Sequence, residues 1–218
     1  MAIVETGLKT DWFRQVDAAP TAEAASDDSG KEIQVLFLCA SVAVDLERMI
    51  VVEPITVQNA DVFKEVRLRA LRDTPSAFGS TYERESQFPE EEWIARTARW
   101  NGETGIGFLA MDGHNACGIA GSFLIPEDPA RALLISMWTA PTHRRQGVGR
   151  MLVDEVIRWA RSRGANILLL MVTSVNESAM RFYERLGFRR TGRTEPYPND
   201  PALIEFEMAR EIEDRQRP

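Results

Sequence analysis

Apolar residues in this chain occur in short runs, and the segments between them repeat apolar positions at helical spacing. The runs at 133–139 and 166–173 have the length and composition of buried strands. Between them, residues 149–163 are amphipathic, with an inward face of Leu152, Val153, Val156, Ile157 and Ala160. Gly164 ends this predicted helix. Because the crossover is short, the two strands are predicted to be parallel neighbours in one sheet.

The chain before this unit also divides into strands and helices. Residues 51–57 have the β-branched composition of a strand, and Pro54 favours the edge of a sheet. Asn59 is placed to cap a helix that extends to about Asp73. A hairpin is predicted at 106–125, where apolar runs flank a polar turn.

One more helix and a last pair of strands complete the pattern. Pro89 precedes three glutamates, which marks a helix start. The inner face of this helix is predicted to consist of Trp93, Ile94 and Thr97. Residues 188–191 and 203–208 are predicted to pair as strands, with a long proline-rich loop at 195–201 between them. The sheet is therefore mixed, with helices on both faces.

The turn at 144–150 is where the sequence first indicates chemistry. The first N–H groups of a helix lack partners, and together with the helix dipole they favour an anion such as phosphate. Gly147 and Gly149 would let an anion approach the backbone, and three arginines add positive charge. The turn alone leaves open the alternative that the glycines only shape a tight turn. His143, just before it, is interpreted as a solvent-facing loop residue, with contact to a bound phosphate as the alternative.

Two common phosphate-binding loops do not fit this turn. A Walker A loop requires lysine where the chain has Arg150, and a dinucleotide-binding turn requires glycine where it has Leu152. Residues 144–149 instead match the Arg/Gln-x-x-Gly-x-Gly/Ala motif of the GNAT superfamily of N-acetyltransferases, which this chain resembles. Residues 176–188 resemble the second motif of that family, Asn-x-x-Ala-x-x-Phe-Tyr-x-x-x-Gly-Phe.

The resemblance implies a single α/β domain of the acyl-CoA N-acyltransferase fold. Its sheet is mixed and mostly antiparallel, with central parallel strands that splay, and helices flank it. The domain is predicted at 49–212, and Met49 stands directly before the first strand. The N-terminal extension, 1–48, contains an Ala/Ser/Asp-rich stretch and is predicted to be poorly ordered. Residues 213–218 are assigned to a C-terminal tail.

The implied activity is acetyl-CoA-dependent N-acetylation of a primary amine, in a small molecule or a peptide, by direct attack in a ternary complex. By the resemblance, backbone N–H groups of 145–150 hold the pyrophosphate, and the strand edge at 137–139 pairs with the pantetheine arm. The strand would also supply an N–H donor to the thioester oxygen. The expected acetyl-CoA-binding residues are Met137, Trp138, Thr139, Arg144, Arg145, Gln146, Gly147, Val148, Gly149, Arg150 and Asn176.

Tyr183 is the candidate general acid, because the tyrosine at this motif position has that role in the family. A phenol is protonated at neutral pH and can give its proton to a thiolate. The alternatives are that Tyr183 is a core residue and that Asn176 is only a helix cap. The general base is not apparent: a water relay, a carboxylate such as Glu83, or no dedicated base all remain open.

The acceptor site, by analogy with the family, lies between the segments 76–85 and 195–201. Phe78, Tyr82 and Tyr197 would form an apolar floor, and Glu83 or Glu195 could attract a cation. The alternative is that these are ordinary surface-loop residues.

Composition limits the partners, the cellular compartment and the metal content that are expected for this protein. A net charge of −7 argues against a nucleic-acid partner. The apolar run at 33–44 is too short to cross a bilayer, so no membrane partner is expected. Two cysteines, without metal-ligand spacing, favour a reduced cytoplasmic protein and no metal. Many relatives of the family are dimers, so a homodimer is a further expectation. The rival function is a non-catalytic acyl-CoA-binding regulatory module of the same fold.

Overall fold

The computed structural model describes residues 49–212. The predictions made for 1–48 and 213–218 lie outside the described residues. Seven strands form one sheet with the order β1-β2-β3-β4-β5-β7-β6. The strands are β1 Val51–Pro54, β2 Gly105–Asp112, β3 Asn115–Ile125, β4 Asp128–Thr139, β5 Ile167–Thr173, β6 Arg189–Tyr197 and β7 Asp200–Glu211.

Five α-helices accompany the sheet in this part of the chain. They are α1 Ala60–Asp73, α2 Tyr82–Glu85, α3 Glu90–Ala98, α4 Val148–Ser162 and α5 Glu177–Arg185. Short 3₁₀ turns occur at Val57–Asn59, Pro75–Ala77 and Pro141–His143. Over 49–212, no helix is both long and apolar enough to cross a membrane.

The parallel pair predicted from the crossover is β4 and β5, and it splays. The pairing runs from Arg131 opposite Ile167 to Leu134 opposite Leu170. Beyond that point β4 continues along β3, and β5 continues along β7. The opening between residues 136–139 and 171–173 is the wedge. The other strand pairs are antiparallel, so the predicted mixed sheet with central splayed strands is confirmed.

Helices cover both faces of the sheet, as predicted. A Cβ on Gly118 would meet Val148 and Leu152 of α4, whereas a Cβ on Gly121 would meet Trp100, just after α3. These two positions of β3 point to opposite faces. The predicted inward face of α4 is buried throughout: Leu152, Val153, Val156, Ile157 and Ala160.

Two predictions about the helices need correction. Ile94 is 41% exposed, and Arg96 lies buried beside Trp93 and Thr97 on the inner face of α3. Arg96 can lie there because a carboxylate within the core neutralises it. Asn59 does precede α1, but its side chain accepts from the Thr56 N–H at 2.7 Å rather than from the helix.

The predicted loop at 195–201 is wrong. β6 continues to Tyr197 and β7 begins at Asp200, so only a tight turn joins them. Pro196 is tolerated within β6 because this strand is the outer edge of the sheet, where a missing N–H need not break the ladder. The hairpin carries Tyr197 toward the 3₁₀ turn after α1.

Candidate active site

The turn before α4 has the backbone geometry of an anion site. Arg145 and Gly147 have positive φ values of 65° and 89°, and the helix starts at Val148. Gly147 has no side chain that could cap the first N–H groups, and a Cβ there would meet nothing within 4 Å. Those N–H groups and the positive end of the helix dipole are therefore open to a phosphate group.

Gly149 has a packing role that the sequence did not predict. A Cβ at this position would lie 3.0 Å from Cζ of Phe182 and 3.2 Å from Cε of Met137. The absent side chain therefore lets α4 pack against β4 and α5. This packing also brings the start of α4, the second motif helix and the wedge together.

The side chain of Arg144 is held by the protein. Its Nε donates to the carbonyl of Thr139 at 3.1 Å, and its Nη2 binds the carboxylate of Asp73. Partial burial raises the pKa of Asp73, but hydrogen bonds from Trp138 and Thr74 and the charge of Arg144 outweigh it and lower that pKa. Arg144 thus fixes the turn to β4 and α1, and Arg145 and Arg150 add two more exposed charges at the turn.

His143 is not the solvent-facing residue that the sequence predicts. Its Nε2 lies 3.0 Å from Oδ2 of Asp112, and its Nδ1 lies 2.8 Å from Oγ1 of Thr142. The imidazole therefore links the hairpin turn of β2 and β3 to the loop that precedes the glycine turn.

The wedge presents one backbone edge of β4. Trp138 and Thr139 pair with β3 on their other side. Between the pairs Ile119–Trp138 and Gly121–Ile135, β4 contains a bulge, and Ser136 has a positive φ of 55°. An edge of this kind can pair with an extended, amide-containing ligand.

Two candidate residues of the second motif belong to α5 and its N-cap. Asn176 caps α5, because its Oδ1 accepts from the N–H of Ala179 at 3.2 Å. Tyr183 is 7% exposed, and its ring packs against Phe182 and Phe188 at centroid distances of 5.2 and 5.6 Å. Burial raises the pKa of Tyr183 well above its ordinary value. The phenol is therefore protonated at neutral pH.

The two segments predicted to flank the acceptor are in contact. Tyr197 is 4% exposed, and its Oη lies 2.8 Å from the carbonyl oxygen of Phe78 and 3.0 Å from that of Pro75. Phe78 is buried, whereas Tyr82 is half-buried under the guanidinium of Arg72. We name these two contacting segments, residues 75–85 and 197–200, the acceptor wall after that prediction. Glu83 in this wall is exposed.

A buried charge network around Glu85 of the acceptor wall was not predicted from the sequence. Arg67 donates to both oxygens of Glu85, at 3.0 and 2.8 Å, and Arg96 donates to the same carboxylate at 3.1 Å. Burial raises the pKa of Glu85, but the two arginines outweigh it and lower that pKa. Helical spacing does put Arg67 four residues after Phe63, on the inward face, and that position was the available signal.

The carboxylates of β7 are also placed in the interior. Glu205 and Glu207 are 5% and 8% exposed. Thr191 donates to Glu207 at 2.8 Å, and the guanidinium of Arg193 lies 3.7 Å from it. In the described part of the chain, no group of three or more His, Cys, Asp or Glu side chains could hold a metal ion.

Comparison with known proteins assigns the family. Residues 68–188, more than half of the chain, match the Acetyltransferase (GNAT) family, and the chain belongs to it. N-acetyltransferase 8 of Homo sapiens is 30% identical over 91 residues, which are 40% of each chain. Streptothricin acetyltransferase of Streptomyces lavendulae is 47% identical over 53 residues, 24% of this chain and 28% of the relative. The matches thus span less than half the length of these relatives.

Solved structures agree with the fold. YncA of Salmonella typhimurium, described as an acetyltransferase and solved with its cofactor acetyl-CoA, has a TM-score of 0.62 and 16% identity. The likeness covers 78% of this chain and 98% of that one. At this identity the likeness establishes the fold: the GNAT arrangement of a splayed sheet flanked by helices.

Proposed function

We propose that this protein is an acetyl-CoA-dependent N-acetyltransferase that acetylates a primary amine, in a small molecule or a peptide, by direct attack in a ternary complex. The observation that carries the proposal is the wedge, which opens beside the uncapped N-terminus of α4. Membership of the GNAT family supports the reaction class. The complex of YncA with acetyl-CoA supports the choice of acyl donor.

The residues present fit acetyl-CoA. The turn at 145–150 would hold its pyrophosphate through backbone N–H groups, because Gly147 leaves the approach open. The edge of residues 137–139 would pair with the amides of the pantetheine arm. Asn176 is half-buried and would contact the cofactor with the part of its amide that capping leaves available.

Acetyl-CoA supplies an activated acetyl thioester when bound, and the protein would supply orientation and protons. A backbone N–H of β4 at the wedge would donate to the thioester oxygen. Tyr183 would hold a proton at Oη for the departing sulfur. Because its pKa is raised, this phenol is a weaker acid than a free one. Its main contribution is therefore a hydrogen bond that is present over the whole neutral range.

A direct transfer, without an acetylated enzyme, is supported by the cysteine content of the described residues. Cys117 is 1% exposed within β3. Burial and the nearby Asp112 raise the pKa of its thiol, so little nucleophilic thiolate is present at neutral pH. The acceptor amine would enter along the acceptor wall, and the charge of Glu205, which acts on Tyr197 of that wall, favours a cation over an anion.

Calorimetric titration of acetyl-CoA into the full chain is the first test. We expect saturable binding by the wild-type protein and none by a Gly147→Trp variant, because the indole would fill the space over the N-terminus of α4. Gly113→Trp is the matched control: Gly113 also has a positive φ and open surroundings, but it lies in the β2–β3 turn. Absence of binding by the folded wild-type chain would contradict the proposal.

The second test is turnover. Thiol release is measured with acetyl-CoA and a panel of amines that includes polyamines, amino acids, aminoglycoside-like antibiotics and peptides. Tyr183→Phe should keep acetyl-CoA binding and lose about 10²-fold or more in kcat, the range typical of a proton donor. Binding without thiol release on any amine would argue for the non-catalytic module instead. Full activity of Tyr183→Phe would remove this residue from the mechanism.

A further inference from the structure

Ser136 adopts a conformation that an L-residue rarely holds without support. Its φ of 55° lies in the left-handed region. The residue forms part of the β4 bulge, because Ile119 pairs with Trp138 while Gly121 pairs with Ile135. One residue of β3 therefore faces two of β4 at this point.

The bulge determines which way the following residues face. Side chains alternate along a strand, so the loss of one bulged residue would turn every later residue to the opposite face. Trp138 would then lose the place where its indole N–H donates to Asp73 at 2.8 Å. The N–H and C=O groups of 137–139 that now border the wedge would then face β3. The groups that now pair with β3 would face the wedge.

A side chain from α1 holds Ser136. Nη1 of Arg67 donates to Oγ of Ser136 at 3.2 Å. The rest of the guanidinium is committed to the bidentate pair with Glu85. The ring of Phe78 lies under it, 4.6 Å from Cζ. Arg67 is 6% exposed and Glu85 is 1% exposed, so both charges are desolvated and their geometry is fixed.

We propose that Arg67 is a positioning residue that holds the β4 bulge through Ser136, and that Glu85 fixes the direction of Arg67. The proposal rests on the proposed function for its consequence, namely that the bulge presents residues 137–139 to acetyl-CoA. A buried ion pair is often no more stabilising than apolar residues of similar size. Holding a strained backbone in one conformation is a role that apolar residues could not perform here.

Two substitutions at one position separate this role from general stability. Ser136→Ala removes the hydroxyl and keeps the Cβ that disfavours a positive φ. Ser136→Gly removes the hydroxyl and also removes the steric cost, so the bulge can form without Arg67. We expect Ser136→Ala to bind acetyl-CoA about tenfold more weakly, the loss of roughly one supported hydrogen bond. Ser136→Gly should bind within about threefold of wild type, because its bulge needs no support.

Coupling to Arg67 is measured in the same series. Arg67→Lys cannot form a bidentate pair with Glu85 and also donate to Ser136. We therefore expect this variant to bind acetyl-CoA more weakly. In the Ser136→Gly background the same change should have a much smaller effect, because the bulge no longer depends on the contact. Equal binding by the Ala and Gly variants, or additive effects of Arg67→Lys and Ser136→Gly, would overturn the proposal.

Amide hydrogen exchange of residues 136–139 in the ligand-free protein tests the same point without acetyl-CoA. Exchange should be faster in Ser136→Ala than in wild type or Ser136→Gly. Identical exchange in all three proteins would overturn the proposal. If the exchange pattern is as expected and the wild-type chain binds no acetyl-CoA, the positioning role stands and the proposed function fails.

Discussion

The carboxylate of Asp73, the last residue of α1, accepts a hydrogen bond of 2.8 Å from the indole N–H of Trp138 in β4. The same Oδ2 binds the guanidinium of Arg144, the first residue of the glycine-turn motif. One carboxylate therefore ties α1 to the strand edge and to the glycine turn. Trp138 is 5% exposed, which makes its indole N–H dependent on this acceptor.

Asp73→Asn should loosen the glycine turn. The amide can still accept from Trp138 but has no charge for Arg144, so we expect stability to fall by about 1 kcal/mol. Acetyl-CoA binding should weaken several-fold, because residues 144–150 lose one anchor. Thermal unfolding and calorimetric titration measure the two effects. Asp128→Asn is the matched control, because it removes an exposed ion pair with Arg131 in β4. It should change neither the stability nor the binding of acetyl-CoA.

The two motifs and the buried face of α4 could be predicted from the sequence, but the contacts of Asp73 could not. The glycine turn and the second motif use fixed residue types at fixed spacing, and the periodicity of α4 identifies its buried face. The contact between Asp73 and Trp138 joins residues 65 positions apart. No local pattern specifies such a partner, because it depends on how α1 lies across the sheet.

The two glycines of the turn should respond differently to alanine. Gly147→Ala meets open space but keeps a φ of 89°, so we expect a loss of about 1 kcal/mol from backbone strain alone. Gly149→Ala has helical geometry but overlaps the packing of Phe182 and Met137, and overpacking of this kind costs about 1–3 kcal/mol. Chemical denaturation of both variants measures the difference.

A smaller partner should rescue only one of them. In a Phe182→Leu background, the Cβ of Gly149→Ala gains room, and the loss it causes should shrink. The loss from Gly147→Ala should stay the same, because no contact with Phe182 is involved. Equal losses in the two backgrounds for Gly149→Ala would show that close packing is not the reason for this glycine.

Prediction from the sequence failed in the acceptor wall. Prolines at 196, 198 and 201 suggested a loop, because proline cannot donate within a ladder. The chain there is instead an edge hairpin, and edge position is a property of the whole sheet. Glu85 sits among polar neighbours in a short helix, so its burial between two arginines has no local signature.

The buried Glu85 should make the protein sensitive to acid. Its pKa is lowered in the folded state, so its contribution to stability is present above the ordinary glutamate pKa of about 4.3 and is lost as the pH falls below it. Glu85→Gln leaves Arg67 and Arg96 underpaired and should cost about 3 kcal/mol at pH 7. The difference between variant and wild type should shrink toward pH 3, as followed by denaturant unfolding at each pH.

Glu83→Gln is the control from the same helix. Glu83 is exposed, and its substitution should change stability by less than about 0.5 kcal/mol at any pH. Its turnover also tests whether Glu83 serves as the general base. A stability difference for Glu85→Gln that is independent of pH between 3 and 7 would contradict the role of the ionised carboxylate.

Tyr197→Phe should affect the acceptor and leave the cofactor site intact. The hydroxyl of Tyr197 joins the hairpin to the carbonyls of Phe78 and Pro75 across the acceptor wall. Its removal should lower stability by about 1 kcal/mol and loosen this wall, because only the bond from Asn199 to Phe78 then remains in that contact. We expect the KM for the amine to rise several-fold while the Kd for acetyl-CoA stays unchanged.

Tyr82→Phe, which removes a hydroxyl bonded to Arg72 on the exposed side of the same wall, should have a smaller effect on KM. A change in acetyl-CoA affinity equal to the change in KM would show that Tyr197 supports the whole site and not the acceptor wall alone.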